Sequence, residues 1–334
     1  MFLRAALAGI ALIALSAAAG AEPMNLKLAY FGGPRNPTYA DVMVPWAREV
    51  TAASQGTVKI DTFPGGTLGR NPRVQVKLVL DEVADMAFFV PSYTPGRFPD
   101  NEVMELPGLF RNNLESGVAI WRLYAKGLLR GYDKFKVMML VTTAPYTMHT
   151  KTPVRSITDL RGMKIRAGGP VAGAAIRALG AVPVGMPIPS VAQNISKGII
   201  DGTASDWNVL YSFRIVDITK YHYMALLGTV PIGVIMSEKR WETLPAAAKA
   251  AFNGITGEEL ARRNGKINAK VQAALEAKTR KNPDHHFVDL DAAALKKWEE
   301  TVDPLINEWA NKHPNGKVLL QAVKKEVAAV RAGM

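Results

Sequence analysis

The chain has 334 residues, no cysteine and a formal net charge of +12 at pH 7. Its length allows two domains with large apolar cores, and the lack of cysteine excludes disulfide bonds and a cysteine-linked lipid anchor. Lysine and arginine are scattered, without a basic run long enough to follow a phosphate backbone, so the charge favours small anions over nucleic acid as partners.

The first residues have the pattern of a secretory signal peptide. Arg4 precedes an apolar run over residues 5–18, and the small residues Ala19, Gly20 and Ala21 follow. The run is shorter than the roughly 20 residues that a membrane-spanning helix needs. We therefore expect a signal peptide over residues 1–21, cleavage after Ala21, a periplasmic location and no direct membrane anchor.

The chain then alternates predicted strands and helices. Apolar patterns predict strands at residues 24–30, 58–63 and 86–90, and residues three or four positions apart predict helices at residues 39–53 and 74–81. This alternation is typical of an α/β fold.

Aromatic residues stand where two of these strands end. Phe31 begins the loop after the first strand, and Phe89 and Tyr93 lie at the exit of the third. An isolated aromatic residue is more often part of a core, and this alternative is favoured for Phe89. Tyr93 lies in a loop flanked by prolines and is the stronger candidate for contact with a ligand.

The most informative stretch runs from residue 158 to residue 201. Apolar and basic residues alternate up to Arg166, and two glycines follow, which predicts a strand ending at Arg166. A helix over residues 171–179, a glycine and a strand at residues 182–184 come next. Because ligands bind outside the carboxyl ends of strands in open α/β sheets, Arg166 is well placed to receive an anion.

Several motifs in this order resemble those of DctP-type substrate-binding proteins of TRAP (tripartite ATP-independent periplasmic) transporters. They occupy residues 63–69, 106–110, 159–166, 179–184, 198–202 and 241–245. The resemblance implies a two-lobed periplasmic-binding-protein fold (type II-like), in which each lobe is a mixed β-sheet flanked by helices and a long helix connects the lobes. It implies that lobe I comprises residues 22–145 and 234–272, and lobe II residues 146–233 and 273–334.

The C-terminal part fits this plan. Strands are predicted at residues 223–228 and 232–236, returning to lobe I, and a single long helix is predicted from Pro245 to about Thr279, with Gly257 among the glycines that could kink it. Further helices are predicted in the remaining residues, which are assigned to lobe II.

The resemblance also implies a role for Arg166, which would hold the carboxylate of a bound acid. Many relatives carry a second arginine shortly before residue 150, whereas this chain offers Tyr146 and His149. His149 is equally well explained as a packed histidine. Ser205 stands near the position of a ligand-binding amide in relatives, and Asn208 follows it closely.

Trp207 is predicted to form either an apolar wall of the site or part of the core, because tryptophan is usually buried. As a wall, it would join Phe31, Phe89 and Tyr93 in favouring an aromatic or branched monocarboxylate. The missing second arginine argues against diacids.

No histidine spacing typical of a metal site, no phosphate-binding glycine motif and no nucleophile motif occurs in the sequence. We therefore expect no cofactor and no enzyme activity. The predicted function is capture of a small organic carboxylate between the lobes and its delivery to a TRAP membrane permease. Two alternatives remain open, a ligand-presenting partner of a sensor and an enzyme on a binding-protein scaffold.

Overall fold

The computed structural model describes residues 22–334, so the predicted signal peptide lies outside the described residues. In this part of the chain two β-sheets form, each packed against helices. The strands of the first sheet are β1 (Met24–Ala29), β2 (Val58–Phe63), β3 (Met86–Phe89), β4 (Phe135–Thr142) and β10 (Pro231–Ser237). They lie in the order β2-β1-β3-β10-β4, with β10 antiparallel to both of its neighbours.

The second sheet follows β4 in the chain. Its strands are β5 (Thr147–Thr150), β6 (Lys164–Ala167), β7 (Val182–Gly185), β8 (Gly202–Ser205), β9 (Tyr221–Tyr223) and β11 (His286–Val288). They lie in the order β11-β9-β5-β8-β6-β7, with β6 parallel to β7 and β8. The predicted lobe boundary after residue 145 falls in the segment between β4 and β5.

The helices lie between and beyond these strands. They are α1 (Val44–Ala53), α2 (Gln75–Leu80), α3 (Asn113–Ala125), α4 (Pro170–Ala178), α5 (Val191–Ser196), α6 (Trp207–Ser212), α7 (Glu238–Glu242), α8 (Ala246–Ile255), α9 (Glu258–Arg280), α10 (Ala292–Lys312) and α11 (Gly316–Arg331). Helix α9 packs against α3 beside the first sheet and against α6 beside the second, and it therefore connects the two lobes. No helix within residues 22–334 has both the length and the apolar character to span a membrane.

The unit β6-α4-β7 has the predicted order of strand, helix and strand. Ile165 points into the core of the second lobe, and Pro170 at the first position of α4 has a backbone angle suited to helix initiation. Gly180 follows the end of α4 with φ of 80°, a conformation that favours glycine. These local signals place Arg166 near the carboxyl end of β6.

The predicted single helix after Pro245 is two helices. Gly257 separates α8 from α9 and has φ of 90°, so the chain turns there instead of continuing as one helix. The predicted strand over residues 223–228 also differs from the structure. Strand β9 ends at Tyr223 and pairs in the second sheet, and an irregular segment leads from it to β10.

Helix α11 packs against α3, although its residues were assigned to lobe II. Leu319 and Val323 on its apolar face join the core of the first lobe. Arg331 Nη2 forms an ion pair with Glu115 Oε2 of α3 at 2.8 Å. The C-terminal helix thus crosses back to the first lobe because its apolar face is buried there.

Candidate functional site

A cavity, here called the interlobe cavity, lies between the two lobes and has a volume of about 60 Å³. The aromatic part of its wall consists of Tyr30, Phe31, Phe88, Tyr93, Tyr146 and Phe213. The polar part consists of Asn36, Thr38, Asn113, Thr142, Thr143, Asp206, Asn208 and Asn268. Both lobes and the connecting helix therefore contribute side chains to one cavity.

Four of the residues selected from the sequence lie on this wall, namely Phe31, Tyr93, Tyr146 and Asn208. Arg166 lies directly behind the wall and is hydrogen bonded to Tyr93. Contacts of these side chains with a ligand stay predictions.

Arg166 is a buried cation, only 1% exposed. Its Nε donates to the carbonyl oxygen of Met186 at 2.9 Å, and its Nη2 donates to the Tyr93 hydroxyl at 2.9 Å. A longer contact of 3.5 Å joins Nη1 to the carbonyl oxygen of Ala204. Among residues 22–334, no carboxylate lies within ion-pairing distance of this guanidinium, although buried charges are normally paired. The buried carboxyl group of Glu105 is close enough to feel its charge, but burial raises the pKa of Glu105 to about 8 and keeps it protonated at neutral pH. The arrangement favours the approach of an anion.

Tyr93 links the lobes through its hydroxyl group. The oxygen accepts hydrogen bonds from Arg166 Nη2 and, at 3.1 Å, from the backbone nitrogen of Ile188. Tyr93 follows β3 in the first lobe, whereas both donors belong to the second. Because the oxygen accepts twice, its own proton is free to be donated to another acceptor. Tyr93 can therefore extend the donor capacity of Arg166 into the cavity.

Two further groups on the wall have shifted pKa values. Burial raises the pKa of the Tyr146 hydroxyl, with a smaller contribution from Asp206, so Tyr146 stays neutral and able to donate. Burial also raises the pKa of Asp206 to about 6. Asp206 Oδ1 accepts from the backbone nitrogen of Val209 at 2.7 Å and caps α6, and Oδ2 accepts from the backbone nitrogen of Ala144 at 3.1 Å.

Buried amides join the two lobes to the connecting helix. Asn36 Nδ2, in the loop after β1, donates to Ser212 Oγ of α6 at 3.0 Å. Asn208 Nδ2 of α6 donates to Asn268 Oδ1 of α9 at 2.9 Å. Thr38 Oγ1 approaches the same oxygen of Asn268 at 3.4 Å. We call these five residues the amide latch, since they link all three parts across the cavity wall.

For His149 and Trp207 the sequence left open a ligand contact or a packed position, and the structure buries both in the second lobe. His149 is fully buried, and its ring lies 5.0 Å from the Trp207 ring between centroids. Trp207 also stacks on Phe287 at 5.6 Å. Neither side chain lines the interlobe cavity.

His149 belongs to a chain of hydrogen-bonded rings. Its Nδ1 lies 2.8 Å from Nδ1 of His222, and Nε2 of His222 lies 2.9 Å from Nδ1 of His285. Lys220 Nζ lies 3.2 Å from Nε2 of His285. Since Lys220 and the carbonyl oxygen of Ser205 occupy the two ends, one neutral tautomer of each ring satisfies every bond. Burial lowers the pKa of His149 to about 3 and that of His222 to about 2.

Phe89 and Ser205 also lie off the cavity wall. Phe89 packs on Phe98 with a centroid distance of 5.1 Å in the core of the first lobe, as its core alternative predicts. Its neighbour Phe88 takes the place on the wall, since successive strand residues point to opposite faces. Ser205 Oγ is buried in β8 and has no hydrogen-bond partner in the described part of the chain.

Several wall residues were not selected from the sequence. Among them are the polar residues Asn36, Thr38, Asn113, Asp206 and Asn268. A signal existed for Asn36, because it follows a glycine pair in the loop that ends β1. The sequence offers no such signal for Asn113 and Asn268. Asn113 is the first residue of α3 and Asn268 lies inside α9, and both are far along the chain from β6.

Two α/β lobes joined by a helix, with a cavity and a buried cation between them, define a two-lobed solute-binding protein. The family profile DctP, described as bacterial extracellular solute-binding protein family 7, matches residues 28–313. The chain therefore belongs to this family, and the predicted TRAP-type substrate-binding protein and its fold are confirmed.

Known proteins of the family are similar over nearly the whole chain. The C4-dicarboxylate-binding periplasmic protein DctP of Rhodobacter capsulatus is 26% identical over 329 residues, 95% of each chain. A TRAP solute-binding protein of an unidentified marine microbe, specific for aromatic acid ligands and solved with 3-hydroxybenzoate, is 28% identical with a TM-score of 0.86, covering 92% of this chain and 99% of the other. A TRAP solute-binding protein of Rhodoferax ferrireducens, solved with benzoate, is 24% identical with a TM-score of 0.87, covering 93% and 100%, and supports the fold.

Proposed function

We propose that this chain captures a small aromatic monocarboxylate in the interlobe cavity and passes it unchanged to a TRAP membrane permease. Arg166 holds the carboxylate, Tyr93 and Tyr146 donate further hydrogen bonds to it, and Phe31 contacts its apolar part. Asn208 acts through the amide latch. Residues 1–21 direct export to the periplasm and are removed after Ala21.

The observation that carries this proposal is the buried guanidinium of Arg166, which has no carboxylate within ion-pairing distance in residues 22–334. A carboxylate from the cavity would supply the missing counter-charge through a planar, charge-assisted pair. The neutral acceptors around Arg166 hold the side chain in position and leave guanidinium protons for the ligand.

The wall supports an aromatic ligand with a single carboxylate. Tyr30, Phe31 and Phe88 offer aromatic faces, and offset contacts between rings add to the gain from apolar burial. Asp206 is the acidic residue of the wall and would repel a second carboxylate. The 28% identical relative that is specific for aromatic acids supports the same ligand class, whereas the dicarboxylate-binding relative supports only the carboxylate.

The test is calorimetric titration of the exported chain, whose mass also shows whether cleavage followed Ala21. Benzoate is expected to bind more tightly than succinate. Arg166→Ala should weaken benzoate binding by about 100-fold or more, since it removes charge-assisted bonds in a buried site. Arg166→Lys should recover only part of the loss because an ammonium cannot pair with both carboxylate oxygens in one plane.

Arg161→Ala is the matched control, because this arginine of the same lobe is exposed whereas Arg166 is buried behind the cavity wall. Its affinity for benzoate should equal that of the wild type. An Arg166→Ala variant that binds benzoate within a factor of two of the wild type would refute the role of Arg166. Preference for succinate would refute the monocarboxylate.

A further inference from the structure

Asn113 stands apart from the other amides on the cavity wall. It is the first residue of α3, is 1% exposed and lines the interlobe cavity. Its Oδ1 is buried and accepts no hydrogen bond from any residue that the structure describes. The wall amides Asn36, Asn208 and Asn268 are instead paired with one another or with Ser212.

A buried carbonyl without a donor is disfavoured, and such groups are rare in folded proteins. The groups nearest along the chain do not supply the donor. The Asn112 side chain caps α3 by accepting from the backbone nitrogens of Leu114 and Glu115, and Ser116 Oγ pairs with Thr142 Oγ1 at 2.5 Å. No residue that the structure describes places a donor within hydrogen-bonding distance of this oxygen, although Asn264 Nδ2 of α9 is also buried without a partner.

The partner of this oxygen must carry a proton. A hydroxyl group can donate to Oδ1 and also accept from the amide nitrogen, whereas a methyl, methoxy or carboxylate group cannot donate. A second carboxylate is further disfavoured by Asp206 on the same wall.

We propose that Asn113 is a specificity residue that selects ligands with a hydroxyl group in addition to the carboxylate, so that the ligand is a hydroxylated aromatic acid. This inference rests on the proposed function and deepens it. Arg166 and Tyr93 bind the carboxylate, and Asn113 forms a hydrogen bond with the hydroxyl substituent. A site built to pair with a hydroxyl rejects the analogue that lacks it, because its own polar group is then left unpaired.

Calorimetry on the mature chain tests the proposal with benzoate, the three monohydroxybenzoates and the corresponding methoxybenzoates. At least one hydroxybenzoate should bind about 10-fold or more tightly than benzoate. Its methoxy counterpart should show no such gain, because it keeps the oxygen but lacks the proton. Equal affinity of benzoate and all three hydroxybenzoates in the wild type would overturn the inference and leave the proposed function standing.

Variants of Asn113 separate recognition from folding. Asn113→Leu should abolish the preference for the hydroxyl group, so that hydroxybenzoate and benzoate bind with about equal affinity, and Asn113→Asp, which retains an acceptor, should keep the preference. Asn113→Ala serves in place of the leucine variant if that protein does not fold. Equal weakening of benzoate and hydroxybenzoate by these substitutions would overturn the specificity role. Absence of binding of every benzoate to the wild type would refute the proposed function as well.

Discussion

Tyr93 shows how one side chain can couple ligand binding to contact between the lobes. Its hydroxyl oxygen accepts from Arg166 and from the backbone of Ile188, and its proton remains available for a ligand. Removal of this single oxygen therefore affects both the ligand site and the closed arrangement of the lobes.

We predict that Tyr93→Phe weakens benzoate binding about 10-fold and lowers the free energy of unfolding by about 1 kcal/mol, since it deletes hydrogen bonds without changing the ring. Tyr132→Phe is the matched control. The Tyr132 hydroxyl donates to Asn101 at 3.0 Å in the buried core of the first lobe, away from the cavity. The control should lose similar stability but bind benzoate normally. Calorimetry and urea unfolding measure the two effects, and equal affinity of Tyr93→Phe and the wild type would contradict the prediction.

Local sequence signals were sufficient where the partners are close in the chain. Arg166 could be placed at the end of β6 because alternating residues, paired glycines and Gly180 all lie within the same short segment. His149 could not be placed, since its burial depends on His222 and His285, which are remote in sequence. Asn113 was missed for the same reason, because the cavity that it faces is built mostly by other elements.

At the scale of elements, Gly257 explains why one predicted helix is two. Its positive φ ends α8 and starts α9, and an added Cβ would lie 3.4 Å from the Trp121 ring. Helical periodicity continues across this point in the sequence, so apolar spacing alone cannot locate the break. The packing of α11 against α3 was missed for a similar reason. An apolar helix face indicates that the helix is buried, but it does not indicate which surface buries it.

We predict that Gly257→Ala lowers the free energy of unfolding by about 1–2 kcal/mol, because alanine is strained at this backbone conformation. Gly254→Ala is the control within α8. Apart from its own helical turn, no part of residues 22–334 lies within 4 Å of its added Cβ, so this substitution should raise stability by about 0.5–1 kcal/mol. Urea unfolding of both variants checks the pair, and a stabilised Gly257→Ala protein would contradict the assigned helix break.

At the scale of the whole molecule, buried ionisable groups act on stability in opposite directions. The pKa values of His149, His222 and His285 are lowered, chiefly by burial, so these rings stay neutral in the fold but take up protons when unfolded near pH 6.5. The contribution of these neutral rings to the free energy of unfolding is complete above pH 6.5 and is lost as the pH falls. Burial raises the pKa of Asp206 to about 6 and that of Glu105 to about 8. The folded protein therefore holds these two protons more tightly than the unfolded chain, and lowering the pH stabilises the folded state through them.

We predict a net loss of stability between pH 6.5 and pH 4.5, because the three imidazoles outweigh the two carboxyl groups in this range. Urea midpoints measured across the range should fall with the pH. In Asp206→Asn, which retains an acceptor for the cap of α6, the fall should be steeper since one opposing group has been removed. A midpoint that rises on acidification would contradict this account.

The amide latch has a consequence for the ligand release that the proposed function requires. Its hydrogen bonds join both lobes to α9, and water can replace each of them when the lobes separate. Because hydrogen bonds to water replace those of the latch at little net cost in free energy, the lobes can separate without exposing a large apolar interface. In the proposed function, a solute could therefore be bound tightly while the lobes are together and still be released when they separate.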